Sequence, residues 1–209
     1  KYIHSLQRYS YFLKQRNALI KSAAQDRSAF DATVDLWSEQ LAAEAAEISF
    51  YRLEFIKRVA AIVSDCFADM TGEKERVEIV YRGSASLDED EYLNKEAVKQ
   101  KYISLLSSSH EREIFIGSTL WGVHKDDIEI KLNGKNARAF ASQGQQRSLA
   151  LALKLAEGEI CREEFGDYPV FLFDDVLSEL DDTRRDYMIG FATGKQVIIT
   201  TCEMGILDK

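Results

Sequence analysis

The sequence predicts an α/β chain whose sheet-forming half is preceded by a helical lobe, and three observations carry that expectation. First, 209 residues contain one proline, Pro169, so helices and strands can run long without a breaker. Second, Leu36, Leu41, Ile48, Tyr51, Phe55, Val59, Ile62 and Val63 recur at helical spacing through the first half, forming one apolar stripe. Third, the apolar runs Val170–Phe173 and Val197–Thr200 flank a helical stretch near Thr183–Phe191, an order that favours a parallel sheet.

Composition narrows the function classes. Lys and Arg total 27 against 35 Asp and Glu, a net charge of −8 that excludes a uniformly basic nucleic-acid binder. With 45% hydrophobic and 30% charged residues the chain can bury a core, which excludes disorder. No run approaches the roughly 18 apolar residues of a membrane span, and Lys1-Tyr2-Ile3-His4 does not resemble a signal peptide, so a cytoplasmic address without membrane contact is expected. Cys66, Cys161 and Cys202 are far apart, with no zinc-ligand spacing, and read as plain thiols.

The striped helix predicted from Asp35 to about Phe67 would be roughly 45 to 50 Å long and cannot bury its stripe alone. Leu6, Tyr9, Leu13, Leu19 and Ile20 offer a partner helix, so a helical hairpin or arm is expected, with Trp37, Tyr51, Phe55 and Phe67 in its core. A break at Thr71-Gly72 precedes a short strand, Val77–Tyr81, and a helix is predicted near Glu91–Leu106. The helical lobe is therefore placed at residues 1–110 and the second lobe at 111–209. In the latter, Ile128, Ile130 and Leu132 alternate, Asn133-Gly134 supplies a tight turn, and Ala137, Ala139 and Ala141 alternate back, which predicts a β-hairpin.

Three motifs follow in order. Ser142-Gln143-Gly144-Gln145-Gln146 opens a helix whose first backbone N–H groups lack partners, an arrangement suited to gripping a phosphate. Read alone, it is better taken as an ordinary N-cap with a polar first turn. The apolar strand then ends in Asp174-Asp175, the Walker B form, in which the first acid can hold Mg²⁺ and the second can activate a water. Ser178-Glu179-Leu180-Asp181 forms the next turn, and a strand ends at Thr200-Thr201. Together, at this spacing, they match the C-terminal half of an ABC-type ATPase head.

At these residues the sequence resembles the RecF family of bacterial recombination mediators, ATPases related to SMC proteins. The resemblance rests on Ser142–Leu149, Leu153–Glu157 and Leu172–Asp181. Gly122-Val123-His124-Lys125-Asp126-Asp127 is similar to a family G-P-H-R-D-D motif with departures at Val123 and Lys125, and Tyr11–Asn17 resembles the start of the family's helical lobe.

The resemblance implies a DNA replication, repair and recombination protein of the SOS response that forms an ATP-dependent homodimer. It further implies binding to double-stranded or gapped DNA and to single-strand/double-strand junctions, work with RecO and RecR, and indirect help to RecA. In such heads Ser142, Gln143, Gly144, Gln145 and Gln146 act on ATP held by the opposite subunit, Asp174 holds Mg²⁺, and Asp175 is the water-activating acid. Ser178 and Asp181 belong to the loop touching the opposite site, and Thr201 stands where many relatives carry a switch histidine. A carboxylate one methylene shorter than glutamate and a missing imidazole imply slow hydrolysis. The sequence contains no G-x-x-x-x-G-K-[ST], so the Walker A loop is expected before Lys1 and the isolated chain is expected to turn over no ATP. Arg147 either couples the nucleotide site to the helical lobe or solvates its helix, and His124 is marked as a coupling residue by its motif. Lys14, Arg16 and Lys21, in an acid-free run, are the DNA-contact candidates, with a solvated helix face as the alternative. Two competing readings remain: a non-catalytic module that binds a partner such as RecR, and the head of another SMC-like ATPase.

Overall fold

A computed structural model of the chain describes residues 1–202 and divides into two compact units. The units interleave in sequence: one comprises Lys1–Phe55 with Tyr81–Ile128, the other Ile56–Val80 with Glu129 onward. The structure is thus not divided by the single boundary expected near residue 110, because one helix supplies residues to both units.

The first unit holds α1 (Tyr2–Ser22), the first part of α2 (Arg27–Thr71), α3 (Glu89–Leu93), α4 (Lys95–Ser107) and α5 (His110–Ile116). Asp26 starts α2 by accepting from Ala29 N at 2.9 Å, which separates α1 and α2 as a hairpin requires. The helix expected near 91–106 is broken at Asn94, whose backbone is extended and whose side chain caps α4 through Ala97 N. Ile20, Phe30 and Val34 are buried together, and Leu41, Ile48 and Leu53 of α2 are also buried, but Leu36 and Phe55 of the expected stripe are exposed, and Phe67 is buried in the core of the second unit.

The second unit contains the end of α2, β1 (Val77–Arg82) and β2 (Asp127–Leu132) over most of their length, β3 (Lys135–Asn136), α6 (Ala137–Phe140), α7 (Gln143–Phe165), β4 (Phe171–Asp174), α8 (Asp182–Ala192) and β5 (Val197–Thr200). One sheet has the order β1-β2-β3, with β2 and β3 antiparallel and Leu132 opposite Lys135. Asn133 and Gly134 take φ of +50° and +76°, the left-handed pair that such a turn needs. The returning strand is shorter than expected. Asn136 caps a helical turn instead, accepting from Ala139 N at 3.3 Å, so Ala137 and Ala139 lie in α6, as their helix propensity allows, and Ala141 follows it in extended conformation.

The other sheet is the expected parallel pair, β4 with β5, in a register running from Phe171 opposite Val197 to Asp174 opposite Thr200. The strands alternate faces: Phe171 and Phe173 enter a core with Leu155, Ala156 and Met188, while Leu172 and Ile198 are exposed. Asp174 and Thr200 share that exposed face, at the carboxyl ends of their strands. Among the described residues no helix is long and apolar enough to cross a membrane.

Candidate functional site

The second unit brings the Ser142 turn, the acid pair and the turn before α8 into one compact body. Ser142 is the N-cap of α7: its Oγ accepts from Gln145 N at 3.3 Å, and Gln145 Oε1 accepts from Ser142 N at 2.9 Å. This reciprocal box fixes the turn while leaving Ser142, Gln143 and Gly144 exposed. A side chain on Gly144 would meet nothing, so its surface is open to a ligand. Gln146 is also exposed and donates back to the Ala141 carbonyl at 3.0 Å.

The acids at the end of β4 are held by residues near β5. Asp174 accepts the Thr200 hydroxyl, and Asp175 N donates to the Thr200 carbonyl at 3.0 Å. Asp175 has φ +52°, a conformation that aspartate tolerates better than most residues, and it turns the chain sharply off the strand. Its carboxylate accepts from Cys202 N at 3.3 Å and its carbonyl accepts the Ser178 hydroxyl at 2.8 Å. Thr201 is partly exposed just past β5. Sequence reasoning had marked Thr201 and missed Thr200; the signal for Thr200 was the parallel register, which sets the last residue of β5 beside the last residue of β4.

Asp181 caps α8 through Arg184 N at 3.0 Å, and this bond, with the Arg184 charge, holds its carboxyl below the usual range. The Arg184 guanidinium reaches Asp181 with Nη1 and Glu75 Oε2 with Nη2, the latter at 2.9 Å. Glu75 Oε1 accepts from Gln145 Nε2. Glu75, invisible in the motif pattern, thereby joins the Ser142 turn to the Asp181 turn. Arg147 is exposed on α7 and borders an open groove of about 670 Å³ lined also by Lys154, Leu172 and Val176.

The remaining candidates lie in the first unit. Lys14 and Lys21 are exposed on α1, but Arg16 is fully buried and is withdrawn as a DNA contact. Its guanidinium donates to Glu113 Oε2 at 2.7 Å, Ser38 Oγ at 3.0 Å and Thr119 Oγ1 at 2.9 Å, so no donor face is left for a phosphate. His124 is also committed. Its Nε2 lies 3.3 Å from the Thr119 carbonyl, an acceptor, so Nε2 carries the proton and Nδ1 accepts the Tyr9 hydroxyl at 2.6 Å. Burial lowers its pKa. Two residues on, Asp126 accepts from Ser84 N, Tyr81 and Arg52, so the Gly122–Asp127 segment ties the first unit together.

Comparison with known proteins gives one answer. RecF of Listeria monocytogenes serotype 4b, a DNA replication and repair protein, is 38% identical over 208 residues, covering 99% of this chain and 55% of the relative. The chain belongs to the RecF family. RecF of Geobacillus thermodenitrificans is 39% identical over 201 residues, covering 96% of this chain and 54% of the relative. Two solved structures of the recombination mediator protein RecF in the RecFOR pathway, described as RecF-ATPrS and RecF-ATP, match with TM-scores of 0.84 and 0.82. They are 33% and 32% identical and cover 97% and 98% of this chain, and 54% of each solved chain. Protein-family profiles gave no match. The chain spans about half the length of the RecF relatives it matches, and its mixed α/β architecture is that of the RecF ATPase fold.

Proposed function

We propose that this chain supplies the Walker B acids of one RecF-type ATP site and the signature and D-loop of the site across the dimer, in a DNA-repair ATPase whose dimerisation depends on ATP. The observation that carries the reading is the Ser142 turn: a helix N-terminus held rigid by its own capping box, with Ser142, Gln143 and Gly144 left open. Such an end attracts the negative charge of a triphosphate presented by a second subunit. Asp174 fits a hard cation, since it offers carboxylate oxygen beside the Thr200 hydroxyl, and Mg²⁺ takes few protein ligands. When bound, Mg²⁺ would neutralise charge on the phosphates. Asp175 then serves as the base toward water, with its carboxylate positioned by Cys202 N. Thr201 occupies the switch position of that site, Gln146 completes the signature turn, Ser178 and Asp181 face the opposite subunit, and Arg147 and His124 act as coupling residues.

DNA binding at gaps and junctions, in company with RecO and RecR and in support of RecA, belongs to the same proposal. Lys14 and Lys21 are its phosphate contacts, because both remain exposed on α1. The deciding experiment places Ser142→Arg in the polypeptide that joins this chain to a Walker A lobe and follows dimerisation by sedimentation with and without ATP. Loss of the ATP-dependent dimer supports the reading, whereas an unchanged dimer overturns it. A partner-binding module is the second reading, favoured by Phe115 and Ile116, which are 89% and 49% exposed at the end of α5. Loss of RecR capture on Phe115→Ser, with ATP turnover intact, would support it.

A further inference from the structure

Glu75 belongs to none of the three motifs, yet both of its carboxylate oxygens are used, one by each of two of them. Oε1 accepts from Gln145 Nε2 and Oε2 accepts from Arg184 Nη2. Gln145 in turn closes the Ser142 cap, and Arg184 binds the Asp181 carboxylate that caps α8. The result is an unbroken hydrogen-bonded series from the backbone of Ser142 through Gln145, Glu75 and Arg184 to Asp181. Its ionic link is well shielded: the Glu75 and Arg184 side chains are 15% and 19% exposed, so the pair is screened less than a surface bridge.

The carboxylate is also aimed in advance. Gly72 and Glu73 both take left-handed φ, +60° and +58°, and turn the chain off the end of α2, with Glu73 N donating to the Ala68 carbonyl at 2.8 Å. On its other side Arg76 N donates to Asn133 Oδ1 at 2.9 Å, and Asn133 N donates to the Arg76 carbonyl at 2.8 Å. The loop that carries Glu75 is therefore fastened at both ends, to α2 and to the β2–β3 turn.

We propose that Glu75 is a positioning residue that sets the signature turn and the D-loop helix as one surface, so that both meet the opposite subunit's nucleotide together. This inference rests on the functional reading above. It predicts that Glu75 acts through Gln145 and Arg184 rather than by touching ATP, and two residues acting through one link give coupled effects.

The test is a double-mutant cycle in the polypeptide joined to a Walker A lobe, with Ser142→Arg as reference. Glu75→Ala and Gln145→Ala are each expected to weaken the ATP-dependent dimer by about tenfold, and the double variant by less than about twofold beyond the worse single one. Glu75→Gln, which can satisfy one partner at a time, should restore part of the loss. In the 209-residue chain itself, Glu75→Ala should speed hydrogen exchange at the Gln145 and Arg184 amides together. If Ser142→Arg destroys the dimer while Glu75→Ala and Gln145→Ala multiply independently, or leave it unchanged, Glu75 has no such role and the functional reading survives. If Ser142→Arg leaves the dimer intact, the functional reading falls and takes this role with it. Exchange that rises at neither amide overturns the link itself, whatever the nucleotide does.

Discussion

Thr200 donates its hydroxyl to Asp174 across the last rung of the β4–β5 pair, and the same threonine receives the backbone N–H of Asp175 at its carbonyl. One residue thus orients both acids. Replacing it with valine keeps the shape and the strand propensity but removes the hydroxyl. Thr200→Val is expected to slow ATP hydrolysis by about tenfold, the scale of a lost hydrogen bond to a charged acceptor. Turnover measured against Mg²⁺ concentration in the polypeptide with a Walker A lobe checks this. Wild-type rates at every concentration would show that Asp174 needs no such support.

Gly158 presents a packing constraint within the same unit. A Cβ on this helical residue would stand 2.3 Å from Phe171 Cζ, and Phe171 is a buried member of the core. Alanine in mid-helix normally gains about 1 kcal/mol over glycine, but overpacking a closed core costs about 1–3 kcal/mol. The second effect wins because the ring sits between α7 and β4, stacked on Phe173. Gly158→Ala should therefore lower stability, and adding Phe171→Leu should recover part of it. Urea denaturation of the single and double variants decides the sign.

Arg16 and Glu113 are both fully buried, and their ion pair at 2.7 Å is completed by Ser38, Thr119 and the Leu120 N–H. Removing one partner leaves the other charged and unpaired, at a cost of about 3–5 kcal/mol. Arg16→Met should be destabilising on that scale, and Arg16→Met with Glu113→Leu should be far milder. Folded Arg16 variants should bind duplex DNA normally, whereas Lys14→Glu with Lys21→Glu should weaken binding and flatten its salt dependence. Equal DNA defects in both sets, at matched stability, would contradict the burial argument.

These residues also mark how far the sequence could be read. The Ser142 cap was legible because serine and Gln145 three residues on form a local box. The β4 acids were legible because an apolar run closed by a polar turn marks a strand end, although only Phe171 and Phe173 of that run are buried and Val170 and Leu172 are exposed. Arg16 was misread because its partner lies 97 residues away and a basic run shows no such distance. Glu75 was missed for the same reason, being 70 residues from Gln145. The alanines after Asn136 misled because small side chains mark no face, and the capping asparagine then decided the outcome.

His124 supplies a pH dependence whose direction follows from its surroundings. Burial favours the neutral imidazole, and the Tyr9 hydroxyl occupies the nitrogen that would have to accept the second proton. Its pKa in the folded chain therefore lies below the unfolded value of about 6.5. Between these two values the unfolded chain binds more protons, so stability falls as pH falls. The contribution is fully present above the unfolded pKa and is lost as pH drops toward and through the folded one. Gly122 keeps the pocket tight: its φ is +140° and a Cβ there would stand 2.2 Å from the Tyr9 hydroxyl. Neither His124→Gln nor Tyr9→Phe should be neutral, but their signatures differ. The glutamine variant loses the slope that sets in below about pH 6.5, while the phenylalanine variant frees Nδ1 and moves the slope to higher pH. Thermal unfolding of the three proteins across that range would detect the change, and identical slopes would show that His124 takes up its proton equally in the folded and unfolded states.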